Sequence, residues 1–188
     1  MIDRPIRPLW PKGYRNDVQI VSQLFAYDEE EQPDILSIIG VSTALMISGA
    51  PFEGPVGAVR VGRIDGQFVA NPTHSEDLKS DMNIVIAGTK ESVIMVEAGC
   101  KFVSEDDIMN AVEFAQVEIR KQCEAQEAFA KECGVEKQEF VNPYDTSELA
   151  QIIKDTAYDA VVDAYHTTDR DERTKKLDDI KAVVKEKI

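Results

Sequence analysis

Apolar and polar residues alternate in "DVQIVSQLFAYD", with Val18, Ile20 and Ser22 on one face and Val21 on the other. That period, with its β-branched content, predicts a strand covered on both faces. The acidic "DEEEQ" that follows predicts a solvated turn, and Pro33 with Asp34 predicts a helix start. In "PDILSIIGVSTALMISG", Ile35, Ile38, Ile39, Leu45 and Met46 fall on one stripe at helical period. Ser37, Gly40 and Ala44 are small enough for a neighbouring element to approach closely, and Gly49 is expected to end the helix.

The period then returns to two. Asp65-Gly66 sits between the alternating halves of "PFEGPVGAVRVGRIDGQFVANPT", the strongest hairpin signal in the chain, because both residues of a type I′ turn need positive φ. "MNIVIAG" and "SVIMVEAG", joined by the polar "TKE", read as a second hairpin, giving four strands in all.

From Ser104 onward the pattern is helical. Ser104 and Asp107 form a capping-box signature, and Ile108, Val112, Ala115 and Ile119 recur at intervals of three and four until Gly134, read as a left-handed stop. The turn-rich "VNPYDTSE" separates this helix from two more stripes: Leu149, Ile152, Ile153, Ala157, Ala160 and Val161, then Leu177, Ile180, Val183, Val184 and Ile188. Between them, Asp169/Arg173, Asp171/Lys175 and Glu172/Lys176 are spaced for i,i+4 pairs, each adding only about 0.2–0.5 kcal/mol. They read as a solvated face. The last stripe reaches the final residue without a cap, which suggests a boundary inside a domain.

Composition narrows the class. With 188 residues, 43% hydrophobic and 30% charged, the chain reads as a soluble globular protein able to bury a real core. No apolar run approaches the roughly 18 residues of a membrane span, and no apolar h-region follows Ile2. Cys100, Cys123 and Cys133 are odd in number and lack C-x-x-C spacing, which fits a reducing cytoplasm and argues against a disulfide framework or zinc site. His74 and His166 are isolated and read as surface or structural residues. Ser42 and Ser48 lie in a helical pattern without a nucleophile elbow. The glycines of "EGPVGAVRVGRIDG" lack P-loop spacing and read as turn and edge strand. No catalytic set and no metal ligand set can be assembled.

Charge singles out the amino end. The formal net charge is -14, which repels nucleic acid from most of the surface. Yet within residues 1–15, Arg4, Arg7, Lys12 and Arg15 face only Asp3, leaving 17 bases against 34 acids elsewhere. Guanidinium forks match phosphate, Pro5 and Pro8 stiffen their path, and Trp10 and Tyr14 offer faces for stacking. The residues also allow a structural alternative, in which Arg4 and Arg7 pair with acids at the core edge while Trp10 plugs the bottom of the domain.

The ordered set "IDRPIRPL", "NDVQIVS", "PFEGPVGAVRVGRIDGQFVANPT" and "NIVIAGTKESVIMVEAG" resembles the first RNase PH-like core of the bacterial polynucleotide phosphorylase family. The resemblance implies an α+β fold: a partial RNase PH-like (S5 domain 2-like) α/β core with antiparallel hairpins over residues 1–134, its long helix included. Part of an all-helical linker domain follows over 143–188. It further implies a reversible, phosphorolytic 3′-to-5′ exoribonuclease that releases nucleoside diphosphates, works as a homotrimer around an RNA channel, and requires magnesium and inorganic phosphate in the full-length enzyme. Further partners in RNA degradation, no membrane and a cytoplasmic location go with it.

The start of the first core, the second core and the KH and S1 domains of that family are missing here. The family's phosphate-binding serines and metal-holding aspartates belong to the second core, so the resemblance assigns this chain no catalytic residue, metal ligand or cofactor. It carries over Arg4 and Arg7 alone, as RNA or phosphate contacts. The expectation is a catalytically silent part of the enzyme supplying RNA-channel scaffold and subunit contacts. The competing reading is a non-catalytic RNA-binding or protein-interaction module.

Overall fold

Alternation at period two builds a four-stranded sheet in the order β2-β1-β3-β4, every pair antiparallel. The strands are β1 (Gly57–Ile64), β2 (Gln67–Ala70), β3 (Met82–Gly88) and β4 (Val93–Cys100). The computed structural model describes residues 1–143 and 146–187. Tyr144 and Asp145 of the predicted loop and Ile188 of the last stripe lie outside the described residues. Asp65 and Gly66 take φ values of 50° and 79°, as a type I′ turn requires, and both predicted hairpins are present. β1 lies inside the sheet, not at the edge expected from its glycines, because it pairs with β3 as well as β2.

Helices cover both faces of the sheet. On one, α2 (Pro33–Ile47) contributes Ile35, Ile38, Val41 and Leu45 to a cluster with Val56, Ala58, Val85, Ala87 and Met95. On the other, α4 (Glu105–Cys133) lays Ala111, Ala115, Ile119 and Cys123 on Val59, Val61, Met82, Ile84 and Ile86. Gly57 is what lets β1 and α4 meet: a Cβ there would stand 2.9 Å from the Ile119 carbonyl oxygen. The capping box that opens α4 forms as expected, the Asp107 amide donating to Ser104 Oγ at 3.1 Å.

The helices end where expected, α2 with its cap at Ser48 just before Gly49 and α4 with its cap at Gly134, but not in the conformation expected. Gly134 has φ −71° and Gly49 has no positive φ, so neither is a left-handed stop. Instead the chain leaves α4 extended and runs back past α2, where the Val135 amide donates to the Ile47 carbonyl at 3.1 Å. The Lys137 ammonium donates to the Leu45 and Ser48 carbonyls at 2.6 and 2.9 Å, supplying the positive end that α2 otherwise lacks. Burial lowers the Lys137 pKa.

The stretch 17–32 corrects a larger expectation. It carries no strand, and Val21 and Phe25 are 69% and 92% exposed. Its alternation writes a β preference, but no described strand runs beside it to complete a ladder. The small face of α2 is likewise uncovered: Gly40 and Ala44 are exposed and open onto a cleft of about 520 Å³ shared with Gln19–Leu24. The acidic turn is better ordered than its composition suggests. Asp28 accepts the Glu30 and Glu31 amides, and Glu30 accepts from the Ser75 hydroxyl at 2.7 Å, at the short α3 (His74–Asp77). Hydrogen bonds from Ser75 hold the Glu30 carboxyl below its usual range.

Residues 1–141 and 142–188 form two compact units. The second contains α5 (Ser147–Tyr165) and α6 (Arg170–Lys187), which pack together with Ala157 and Ala164 buried. Leu149, Ile152 and Ile153 remain 37–46% exposed, so the α5 stripe is only partly covered. Of the three spaced ion pairs, Glu172–Lys176 forms at 3.0 Å; Asp169 instead accepts the Glu172 amide, and Arg173 donates to the Thr167 carbonyl.

Candidate nucleic-acid interface

Arg4 and Arg7 are carried on a short scaffold at the start of the chain, α1 (Asp3–Ile6) followed by a 3-10 turn over Arg7–Leu9. Proline suits the first turn of a helix, where its missing amide costs nothing. Pro5 and Ile6 are buried, with Ile6 2% exposed in the α2-side cluster. The Leu9 carbonyl accepts from the Glu53 amide at 2.8 Å. The inner side of the turn is thereby fixed, and its outer side carries the arginines.

Both guanidinium groups are exposed, and both already face an acid. Arg4 Nη1 lies 3.7 Å from Glu97 Oε2 on β4, with side chains 69% and 55% exposed. Arg7 pairs with Asp3 one turn back, its Nε donating to Oδ1 at 3.2 Å, with side chains 75% and 67% exposed. The two arginines thus meet different carboxylates, as the structural alternative requires, yet neither is buried by them. Exposed pairs of this kind contribute about 0–1 kcal/mol, so phosphate can replace the carboxylate at little cost. Beside Asp3 and Arg7 lies a cleft of about 400 Å³ bordered by Trp10, Val18 and Ile20.

The aromatic residues are committed inward. Trp10 stacks on Tyr14 at 4.9 Å and 13°, and tilts against Phe52 at 5.7 Å, while Tyr14 meets Phe140 edge-on at 5.3 Å. Trp10 packs against the core cluster as the plug, and the idea of two free stacking platforms is corrected accordingly.

The other candidates are structural. Ser42 Oγ accepts the Val56 amide at 2.8 Å and Ser48 Oγ accepts the Ala50 amide at 3.2 Å. His74 and His166 are exposed at helix ends. Burial pushes the Cys123 thiol up to about 11, which keeps it protonated and unreactive, and Cys133 is exposed. Among the described residues, no group of three or more His, Cys, Asp or Glu side chains is placed to hold a metal ion, and no helix is long and apolar enough to cross a membrane.

Two basic residues that sequence reasoning passed over organise the sheet. Arg60 donates to Asp34 at the start of α2 and to Asn83 on β3. Arg63 donates to both Asp81 oxygens at 3.0 and 2.7 Å, and its Nη1 lies 2.7 Å from Asp107 in the α4 cap. The available signal was charge within "VRVGR": a cation inside an alternating strand must find an acid.

Comparison with known proteins agrees with this architecture. Residues 54–118 match the model of the 3′ exoribonuclease family, domain 2. The chain is 49% identical over 154 residues to the polyribonucleotide nucleotidyltransferase of Finegoldia magna, covering 82% of this chain and 22% of that protein. It is 44% identical over 188 residues to that of Heliobacterium modesticaldum, covering 100% of this chain and 26% of that protein. The chain therefore spans about a quarter of the length of the curated relatives it matches. Residues 54–118, the hairpin sheet and the first half of α4, thus match domain 2 of the 3′ exoribonuclease family, and the chain as a whole is similar to one stretch of the polyribonucleotide nucleotidyltransferases.

Proposed function

We propose that this chain is one part of a reversible, phosphorolytic 3′-to-5′ exoribonuclease, and that Arg4 and Arg7 contact the RNA backbone. The observation that carries the reading is their placement: two exposed guanidinium groups on a turn anchored by buried Pro5 and Ile6, on a protein of net charge -14. A local positive site lets an acidic body meet a polyanion in one place while the remaining surface repels it. In the whole enzyme this part supplies channel wall and subunit contacts, and the helices of 142–188 belong to a linker domain. Homotrimer assembly and other partners in RNA degradation are attributes of that assembly.

In this reading the chemistry of chain cleavage is assigned to other parts of the enzyme. Phosphoryl transfer needs placed donors and a metal that neutralise developing charge. The contribution of these residues is binding and orientation. Arg4 and Arg7 exchange Glu97 and Asp3 for phosphate oxygens, and the rigid prolines limit the entropy lost in doing so.

Fluorescence anisotropy with a labelled single-stranded RNA tests the reading. The chain is expected to bind at low salt, and Arg4→Ala with Arg7→Ala to weaken binding and flatten the salt dependence by about 0.7 per lost contact. Unchanged affinity and slope would overturn it. The partly uncovered apolar stripe of α5 favours a second reading, a protein-docking module. Charge substitution at Ile152 that removes a protein partner and leaves RNA binding intact would favour it.

A further inference from the structure

We propose that Phe140, on the strap that leaves α4, is a positioning residue for the turn that carries Arg4 and Arg7, a role that rests on the RNA reading above. α4 ends at Cys133, and residues 134–140 carry no helix or strand. Their path is nonetheless fixed. The Val135 amide donates to the Ile47 carbonyl at 3.1 Å, and the Gln138 amide to the Gly49 carbonyl at 2.8 Å. The Lys137 ammonium adds two more bonds to the end of α2. Just past these ties, Phe140 is half-buried and meets Tyr14 edge-on, with ring centroids 5.3 Å apart.

The arginine turn is too short to hold itself in place. α1 has four residues and the 3-10 turn three, and neither start has a side-chain cap. Isolated helices below about 12 residues are marginal in water, so the packing behind this one decides where it lies. On the amino side that packing is buried Pro5 and Ile6. On the carboxyl side, Trp10 follows the turn directly and tilts against Phe52 in the core. Tyr14 stacks on Trp10, brought back over it by Gly13 at φ 90° and by the Tyr14 amide donating to the Pro11 carbonyl. Among the described residues, the ring contacts of Tyr14 are Trp10 and Phe140. Phe140 therefore closes a column of four rings whose other end is buried, and Trp10 in that column sets the carboxyl end of the turn.

An RNA backbone is gripped only when both guanidinium groups are in place at once, so affinity falls by the fraction of time the turn is displaced. An edge-on ring pair shifts a local equilibrium by about threefold to tenfold, and removing the ring should weaken RNA binding by that factor. Phe140 is uncharged and makes no phosphate contact in this scheme. The salt dependence, which counts those contacts, should then stay that of the parent. Positioning and contact are thereby separable.

The test is an anisotropy titration of the full 188-residue chain with labelled single-stranded RNA over a range of salt. Phe140→Ala is expected to weaken binding about threefold to tenfold at unchanged salt slope, Phe140→Tyr to keep the parental affinity, and Arg4→Ala with Arg7→Ala to flatten the slope. Trp10 is the single tryptophan, so its emission reports on the column directly and should shift to the red in Phe140→Ala. Amide exchange should quicken at Glu53, which is bonded to the Leu9 carbonyl, and stay slow at Val85 in the sheet. If Phe140→Ala fails to fold, Phe140→Leu, which keeps apolar volume and removes the ring, is measured in its place. Full RNA affinity without the ring, unchanged Trp10 emission, or exchange that quickens equally at Val85 would each overturn the proposal. Full affinity in Phe140→Ala beside a loss in Arg4→Ala with Arg7→Ala sinks the positioning role alone. Binding indifferent to both arginines sinks the RNA reading, while Trp10 emission and Glu53 exchange still decide whether Phe140 holds the turn.

Discussion

β3 and the stretch 17–25 are written in the same alternating, β-branched style, yet only β3 is a strand. In β3, Ile84 and Ile86 are fully buried against α4, while Val85 and Ala87 are buried on the α2 side, with β1 and β4 completing the ladder. In 17–25 the same residue types stand exposed, Val18 at 42% and Leu24 at 60%. The difference is not propensity but neighbours. A strand is stabilised by cross-strand pairs and by what covers its faces, and alternation records only the capacity for both.

The largest effect expected from this contrast is in stability. Ile84→Ala removes buried methyl groups from a site enclosed on every side and should cost about 2–5 kcal/mol in chemical denaturation. Val21→Ala, at 69% exposure, should fall within about 0.5 kcal/mol of the parent. Amide exchange should divide the same way, slow at Val85 and fast at Val21. Equal costs at the two positions would break the comparison.

A second effect sharpens it through pH. β1 and the segment leading into β3 are tied by Arg63 and Asp81, and α4 is tied to the same guanidinium through Asp107. Hydrogen bonding to Arg63 lowers the Asp81 pKa, and hydrogen bonding first to Ser104 and then to Arg63 lowers that of Asp107. Groups depressed in the folded state contribute stability above the ordinary carboxylate range of about 4, and lose it as pH falls through their folded values. Thermal melts should therefore show a steep acid-side loss that Arg63→Gln flattens, while Phe25→Ser leaves it in place, since Phe25 lies outside this network. An identical acid slope in Arg63→Gln would detach these carboxylates from stability.

Legibility followed the range over which each feature is determined. The Asp65-Gly66 turn and the Ser104/Asp107 cap were readable because a few adjacent residues fix them. So were the α2 and α4 stripes, whose buried residues lie at helical spacing. The stretch 17–25 was misread because covering a strand requires partners that its own letters do not specify. Helix ends were legible at Gly49 and Gly134, but not the means by which α2 is closed, because Lys137, which supplies it, is remote in sequence. At the candidate site, local charge density pointed to Arg4 and Arg7, but Glu97 on β4 and the Trp10–Tyr14 stack emerge only after folding. Arg60 and Arg63 escaped notice because Asp34, Asn83, Asp81 and Asp107 come from separate elements.

The smallest expected effect is also the sharpest probe of the 17–25 side. Phe25 is 92% exposed, so its ring removes little apolar surface from water on folding. Phe25→Ser should therefore change the denaturation free energy by no more than about 0.5 kcal/mol. The denaturant slope should be unchanged as well, since it scales with surface exposed on unfolding and this ring is exposed in both states. A loss of about 2 kcal/mol or more would mean that the ring is packed in solution, as only buried aromatic residues carry such a cost. The alternating stretch would then have acquired in solution the covering that distinguishes β3, and neighbours, rather than propensity, would again be the deciding term.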